Sequence, residues 1–257
     1  MKITALIENL VYKEGLLAEH GLSLYLETDS RKILFDTGQS GAFLQNAKKL
    51  GIKIEEIDSV IISHGHYDHT GGLELFLTVN RNAIVYIKKE AFTRKFDVSK
   101  RFVGITCDPG LLDGRVEYIT DITEIDRGIF IMPEIPIFNK ADTSLSILND
   151  KFPDELYLAI NQNDELSIIT GCSHRGITNI VNSAAIHFNL PVNLILGGLH
   201  TKDCKTSQFE TIINYFNHNL PKSIGVCHCT GIERYSDLLQ RCKTKVFYNY
   251  TGNVIEI

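Results

Sequence analysis

The chain has 257 residues, 44% of them hydrophobic, so it can bury one large core without a second domain. Its net charge is −5 and its lysines and arginines are scattered, which argues against nucleic acid as a partner. The apolar run in residues 1–7 is interrupted by Glu8 and Asn9 and is too short for the hydrophobic region of a signal peptide. No apolar run approaches the ~20 residues of a membrane span. The six cysteines follow no disulfide framework, so we expect a cytoplasmic protein that binds no membrane.

Short apolar runs alternate with amphipathic helical patterns, which predicts an α/β protein. The first part of the chain predicts a hairpin, a helix, a strand, a helix and a strand, over Leu22–Thr28 with Lys32–Asp36, Ala42–Leu50, Ser59–Ser63, Leu73–Val79 and Ala83–Ile87. The last part predicts a hairpin, a helix, a strand, a helix and three further strands, over Leu156–Asn161 with Leu166–Thr170, 177–188, Val192–Leu196, 209–216, Ser223–Cys227, Lys245–Tyr248 and Val254–Ile257. The least regular segment is 88–151, where we expect an insertion that covers the substrate.

Residues 63–72 read Ser-His-Gly-His-Tyr-Asp-His-Thr-Gly-Gly and directly follow an apolar run. A strand that ends in such a turn aims His64, His66, Asp68 and His69 at one point. Imidazole and carboxylate ligands suit zinc, iron or manganese, and an open coordination position would make the metal catalytic. The alternative is a histidine-rich surface turn. It is disfavoured because histidine is scarce in this chain and the glycines of the turn permit the tight backbone that a site needs.

This spacing, H-x-H-x-D-H followed by T-G-G, resembles the signature turn of the metallo-β-lactamase superfamily. The resemblance implies a single domain over residues 1–257, folded as a four-layer αβ/βα sandwich. It also implies that His64 and His66 help to bind a first metal ion, and Asp68 and His69 a second. The iron-containing flavodiiron branch has glutamate where this chain has His66, which argues against a di-iron oxygen or nitric oxide reductase.

Further histidines follow predicted strands, where open α/β sheets place their ligand sites. By the resemblance, His228 is a ligand of the second metal. His174 is expected to supply the third ligand of the first site, because no histidine occurs near residues 151–154, where the superfamily has one. Cys172 stands where many members have the bridging aspartate. It is either an unusual ligand or a small packing residue. His200 is a candidate metal ligand, anion contact or catalytic acid/base, and a plain turn residue is the alternative.

Other residues near these motifs receive weaker predictions. The superfamily places an aspartate that orients a ligand histidine at Asp36, although a capping or turn role is compatible with the same position. Arg175 follows His174 at a predicted helix N-terminus and is a candidate contact for a substrate anion, or else a surface residue. We expect Asp154 and Glu155 to be solvated. His20 is expected to lie in a turn, and the alternative is that it reaches the site.

The motifs around Glu19-His20-Gly21, Gly171-Cys172-Ser173-His174, Gly197-Gly198-x-His200 and His228-Cys229-Thr230-Gly231 resemble one branch of the superfamily. That branch is similar to archaeal 7,8-dihydropterin-6-methyl-4-(β-D-ribofuranosyl)-aminobenzene-5′-phosphate synthase. The resemblance implies a metal-dependent enzyme for a small molecule, with one or two divalent ions that are zinc, iron or manganese.

Two reactions and one non-catalytic role fit these residues. In a hydrolase of a phosphoester, lactone or thioester, Asp68 would bind the metal and steer a metal-bound hydroxide. In a transferase, the metal would hold the pyrophosphate of a dihydropterin while an arylamine displaces it. The non-catalytic alternative is a metal-binding scaffold or sensor. The complete H-x-H-x-D-H turn favours an enzyme, and the sequence indicates no particular oligomeric state.

Overall fold

The computed structural model describes residues 1–144 and 150–257. The chain divides into two compact units, each built around its own sheet. The first unit comprises Met1–Thr120 and Tyr250–Ile257, and the second comprises Asp121–Asn249. In the described ranges, no helix is both long enough and apolar enough to cross a bilayer.

The first unit has a seven-stranded mixed sheet in the order β14-β1-β2-β3-β4-β5-β6. Its strands are β1 (Lys2–Ile7), β2 (Ser23–Glu27), β3 (Lys32–Phe35), β4 (Ser59–Ile61), β5 (Ile84–Ile87), β6 (Val116–Tyr118) and β14 (Val254–Glu256). Pairing is antiparallel from β14 to β3 and parallel from β3 to β6. Parallel neighbours end at the same edge, so the turns that follow β3 and β4 lie side by side.

The helices of the first unit are α1 (Ala42–Lys49), α2 (Tyr67–Thr70) and α3 (Leu73–Val79). Phe43 and Phe76 are fully buried and belong to one apolar cluster with Val60 of β4. Buried residues recur at helical spacing in α3, which is why its apolar stripe packs against the sheet.

The second unit has a seven-stranded mixed sheet in the order β13-β12-β11-β10-β9-β8-β7. Its strands are β7 (Thr123–Asp126), β8 (Ile129–Met132), β9 (Tyr157–Gln162), β10 (Glu165–Thr170), β11 (Val192–Gly197), β12 (Ser223–Val226) and β13 (Lys245–Tyr248). The strands from β10 to β13 are parallel. Their connections are the helices α4 (Ile177–Phe188), α5 (Thr206–Asn219) and α6 (Ile232–Arg241), whose buried faces join one core with the sheet.

The prediction of an α/β protein is confirmed, and most predicted elements occur within a few residues of their expected bounds. Strand β1 and helix α6 were not predicted. Helix α6 buries only Leu238, while Ile232 and Leu239 are exposed. The segment 88–151 includes strands β6, β7 and β8, which pair within the two sheets, and its residues 145–149 lie outside the described residues. The expectation that part of this segment covers a substrate stays a prediction.

Candidate metal-binding sites

The histidine-rich turn of the first unit leaves β4 at its carboxyl end. The backbone N–H of Ile62 still donates to Tyr86 O at 3.0 Å, so the chain enters the turn from a rigid sheet. A Cβ atom at Gly65 would lie 2.1 Å from Ala91 O, and one at Gly72 would lie 2.3 Å from Thr37 O. Only glycine permits these approaches, so they fix the path of the turn.

The side chains of this turn converge. His64 Nε2 lies 3.1 Å from His66 Nδ1, and the rings of His64 and His69 are 4.2 Å apart between centroids. Asp68 Oδ2 lies 3.9 Å from His69 Nε2. Two imidazole nitrogens on one tetrahedral metal ion at ~2.0 Å would be about 3.3 Å apart, so the spacing of His64 and His66 suits shared coordination.

The protonation of His64 also suits a ligand. Burial lowers the pKa of the His64 imidazole well below its usual value, and the neighbouring His69 and His66 lower this pKa further. The ring is therefore neutral at physiological pH, which is the form that binds a metal. Its Nδ1 is 2.9 Å from Ser63 Oγ, so the opposite nitrogen, Nε2, is the one turned toward His66.

Asp36 lies beneath the turn, fully buried at the end of β3. Its Oδ2 is 2.6 Å from His69 Nδ1 and accepts a hydrogen bond from Ser63 Oγ at 2.7 Å, while Oδ1 accepts from Ser63 N at 2.7 Å. A carboxylate on Nδ1 keeps the proton there and leaves Nε2 of His69 as the coordinating atom. This contact of Asp36 with a histidine is the one expected from its position in the sequence, and metal binding by His69 stays a prediction.

His20 contacts Asp68 of the histidine-rich turn. Its Nε2 lies 3.1 Å from Asp68 Oδ2, and its Nδ1 is 3.3 Å from Asn9 Nδ2. A turn residue was the first expectation for His20, and contact with the site was the alternative. The Gly21 that follows it has a φ of +156° and would place a Cβ 2.6 Å from Asp68 O. The His-Gly pair therefore brings this part of the chain against the backbone of Asp68, and the glycine was the available signal.

In the second unit, His174 follows β10 and is held from several sides. Its ring stacks on Phe152 with centroids 3.8 Å apart and planes 4° from parallel, and Nδ1 is 3.2 Å from Ser144 Oγ. Its backbone N–H donates to Glu155 Oε1 at 2.6 Å, and the N–H of Arg175 donates to Glu155 Oε2 at 2.7 Å. The imidazole is therefore fixed in orientation.

The prediction that Asp154 and Glu155 are solvated is wrong, because both are buried. Burial raises the pKa of Glu155 to about 7, although the hydrogen bonds that it accepts from the backbone N–H groups of Arg175 and His174 lower this pKa. These two amide N–H groups take the place of the water molecules that would hydrate an exposed carboxylate, which is how the Glu155 side chain can be buried.

Cys172 lies at the centre of the polar cluster of the second unit. Its Sγ is within 4.8 Å of a ring nitrogen of His174 and of one of His228. Cys172, His200 and Cys229 likewise place their ligand atoms within 4.8 Å of one another, and the rings of His174 and His200 are 4.2 Å apart. Sequence reasoning did not assign Cys229.

Cys229 is a polarised thiol. Burial raises the pKa of the Cys229 thiol, but hydrogen bonds with Cys172 and His200 and the charges of the His228 and His200 imidazoles lower it, so that the pKa lies well below the usual thiol value. A thiolate is the form that binds soft metals.

Arg175 is occupied by its own chain. Its Nε donates to Ile135 O at 3.0 Å and Nη1 donates to Lys151 O at 2.6 Å. These two hydrogen bonds join Arg175 to the backbone of Ile135 and Lys151, both of which precede β9 in the chain. A role of Arg175 in anion binding stays a prediction.

Comparison with known proteins identifies the family. The family model described as the metallo-beta-lactamase superfamily matches residues 17–143. The crystal structure of Tm1679, described as a metal-dependent hydrolase of the beta-lactamase superfamily, superposes with a TM-score of 0.86 at 33% identity and covers 100% of this chain and 99% of that one. The chain belongs to the metallo-β-lactamase superfamily. The predicted metallo-β-lactamase fold is thereby confirmed.

Two proteins of Methanocaldococcus jannaschii are also similar over nearly the full length. One is named 7,8-dihydropterin-6-methyl-4-(beta-D-ribofuranosyl)-aminobenzene-5′-phosphate synthase; it is 29% identical and covers 100% of this chain and 96% of its own. The other is uncharacterized; it is 29% identical and covers 99% of this chain and 100% of its own. The branch that the sequence motifs indicated is thus among the similar proteins.

Proposed function

We propose that the protein is a metal-dependent hydrolase of a small phosphorylated, ester or lactone metabolite. The proposed metal ligands are His64, His66, Asp68 and His69 in the first unit, and His174 and His228 in the second unit. The protein binds one or two divalent ions, with zinc as the first choice and iron or manganese as alternatives. The proposal rests on superfamily membership and on one observation in particular. His64 and His66 face each other at 3.1 Å between ring nitrogens, beside the ring of His69.

The chain's own residues prepare this donor set for a cation. His64 is neutral because it is buried, and Asp36 holds the proton of His69 on Nδ1. A divalent ion bound there would supply Lewis acidity, which polarises the substrate and lowers the pKa of water to near 7. Asp68 orients the attacking water, and His20 at 3.1 Å holds the carboxylate in place. His200 is the candidate acid for the leaving group.

Group transfer is the second candidate, and the M. jannaschii synthase is the observation that favours it. In that reaction an arylamine replaces water as the nucleophile. The substrate would then be a dihydropterin diphosphate, whose pyrophosphate leaves. Arg175 is a candidate contact for that anion, since its position precedes α4.

Metal analysis and turnover by one matched pair of variants test the proposal. The purified protein should contain one or two divalent ions per chain and act on a panel of phosphoesters, lactones and dihydropterin diphosphate. His64→Ala should abolish turnover and reduce metal content without unfolding the chain, whereas His218→Ala, on the exposed side of α5, should change neither. Full turnover in His64→Ala, or a wild-type protein that binds no metal, would contradict the proposal.

The nucleophile distinguishes the two reactions. Product release with water alone supports hydrolysis, and pyrophosphate release that depends on an added arylamine supports transfer. A protein that binds metal but turns over nothing on the panel would instead support the scaffold or sensor.

We also propose a cytoplasmic location and a small-molecule substrate. All six cysteines lie in the described ranges and none forms a disulfide, which is typical of a reducing compartment.

A further inference from the structure

Three neighbouring parallel strands of the second unit end beside one another and carry two thiols and an imidazole. Cys172 follows β10, His200 follows β11 and Cys229 follows β12. After one register shift between Leu166 and Ser167, these strands pair regularly as far as Thr170 with Gly197 and Gly197 with Val226. The side chains just beyond these pairs therefore start from a fixed spacing.

Glycines allow the three strand ends to approach closely. A Cβ atom at Gly198 would lie 2.4 Å from Cys229 Sγ and 2.6 Å from Gly171 O, and one at Gly197 would lie 2.0 Å from Thr170 O. His200 itself has a φ of +51°, a left-handed conformation that a non-glycine residue adopts at a cost of roughly 1–2 kcal/mol. The local backbone is thus built to bring these groups together.

The three groups are close to a coordination geometry. Their ligand atoms lie within 4.8 Å of one another. On a tetrahedral zinc ion, with Zn–S at ~2.3 Å and Zn–N at ~2.0 Å, the same atoms would be about 3.5–3.8 Å apart. Because the separations do not exceed 4.8 Å, side-chain rotations that close each gap by at most roughly 1.0–1.3 Å would satisfy that geometry.

The donor types select the metal class. Two sulfurs and one imidazole prefer zinc or iron(II) to magnesium or calcium, which take oxygen ligands. Cys229 and His200 are partly exposed while Cys172 is buried, so an ion could reach the cluster from one side. Simple packing of cysteines would not require two of them beside an imidazole that is held in a left-handed turn.

We propose that Cys172, His200 and Cys229 form a thiolate-containing metal site that binds zinc. Three protein ligands leave the fourth position of a tetrahedral ion for an exchangeable ligand, which distinguishes this site from a closed structural one. The proposal assigns Cys172 to this cluster and makes His200 a ligand, in place of its alternative role as the acid for the leaving group. It is independent of whether the histidine-rich turn of the first unit is catalytic.

Cobalt substitution tests the assignment directly. The protein is purified, reduced with a phosphine, freed of metal with a chelator and titrated with Co²⁺ while the near-ultraviolet absorption is recorded. Thiolate coordination gives a sulfur-to-cobalt charge-transfer band that imidazole and carboxylate ligands do not give. We expect the band in the wild type, its loss or clear weakening in Cys172→Ser and in Cys229→Ser, and its retention in Cys242→Ser.

Two further measurements complete the test. X-ray absorption of the zinc-loaded wild type should show sulfur scatterers at ~2.3 Å. Circular dichroism must show that both serine variants are folded; if either is not, a Cys→Ala variant at the same position replaces it. A wild type without the band, or a band of equal strength in folded Cys229→Ser, would overturn the proposal.

The outcome separates this site from the proposed function. His64→Ala is expected to lose turnover but to keep the charge-transfer band. If the wild type shows the charge-transfer band but no turnover, the thiolate site is supported and the proposed enzyme activity is contradicted. If the wild type shows turnover but no band, the enzyme activity is supported and the thiolate site is contradicted.

Discussion

Replacing Asp36 with asparagine tests whether a buried carboxylate holds His69 ready for a metal ion. Oδ2 contacts both His69 Nδ1 and Ser63 Oγ, and Oδ1 accepts from the backbone N–H of Ser63. Asparagine has only one accepting oxygen, so its amino group must face one of these two sides. The φ of +60° at this residue does not confound the test, because asparagine adopts the left-handed region as readily as aspartate.

Each orientation of the amide has a definite cost. If the amino group faces Ser63 N, the hydrogen bond from the backbone N–H of Ser63 to the carboxylate is lost, and this buried N–H has no acceptor at position 36. If it faces His69, the imidazole must accept at Nδ1 and carry its proton on Nε2, the atom that a metal needs. We expect the free energy of unfolding of the metal-free protein to fall by roughly 2–3 kcal/mol. Metal affinity should fall about tenfold to a hundredfold.

Urea denaturation of the metal-free protein and competition with a chromophoric chelator measure the two effects. The matched control is Asp58→Asn in the same unit, where an exposed carboxylate accepts from the backbone N–H of Lys32 at 2.7 Å. The control should stay within about 1 kcal/mol of the wild type and keep its metal affinity. Wild-type stability and affinity in Asp36→Asn would refute the reasoning.

Three further substitutions have definite expected outcomes. Gly65→Ala places a Cβ 2.1 Å from Ala91 O, so we expect a loss of roughly 1–3 kcal/mol in thermal denaturation together with reduced metal content; an unchanged midpoint would contradict the packing argument. His20→Ala removes the partner of Asp68 at a half-exposed position, so stability should change by less than about 1 kcal/mol while turnover falls about tenfold, and equal turnover would exclude a positioning role. Glu155 has a folded pKa of about 7 against an ordinary value of 4.5, so its protonated form stabilises the folded state. That contribution, of the order of 3 kcal/mol, is complete below pH 4.5 and is lost as the pH rises through 7. The free energy of unfolding of the wild type minus that of Glu155→Gln, measured by urea denaturation, should therefore fall as the pH rises from 4.5 to 7, and a difference that does not vary with pH would refute the assignment.

The sequence predicts the first unit's turn well because all its chemistry lies in one short stretch. His64, His66, Asp68 and His69 follow a single strand, and the glycines beside them mark a tight backbone. A pattern confined to one short stretch can be recognised without knowledge of the tertiary fold. The strands themselves were predictable for the same reason, since buried parallel strands appear as continuous apolar runs.

Contacts between distant parts of the chain were less accessible. Glu155 precedes a strand and carries a charge, which normally indicates solvent. Only the fold shows that the amides of His174 and Arg175 surround it. The sequence left two readings of His20 open and did not predict its contact with Asp68, because that contact depends on a loop path that no periodic pattern encodes.

Left-handed backbone at strand ends is a common feature of the candidate residues. His200 (φ +51°) follows β11 and His228 (φ +52°) follows β12, and Asp36 in the first unit has the same conformation after β3. A continued extended strand would carry each side chain away from the sheet edge, whereas one left-handed residue turns the chain and keeps the side chain there. The strain is therefore a consequence of where the functional group must lie.

Strain at position 200 should appear in the relative stability of two variants that both lack the His200 imidazole. His200→Ala retains the strain of a Cβ in the left-handed region, and His200→Gly relieves it. The glycine variant should therefore be more stable than the alanine variant by about 1 kcal/mol in urea denaturation, even though glycine normally weakens a chain through its larger unfolded-state entropy. Ser183→Ala and Ser183→Gly, in the helical backbone of α4, provide the control in which alanine should be the more stable of the two. Equal stabilities at position 200, or a more stable alanine variant there, would show that the turn adapts and that no strain is held at this ligand position.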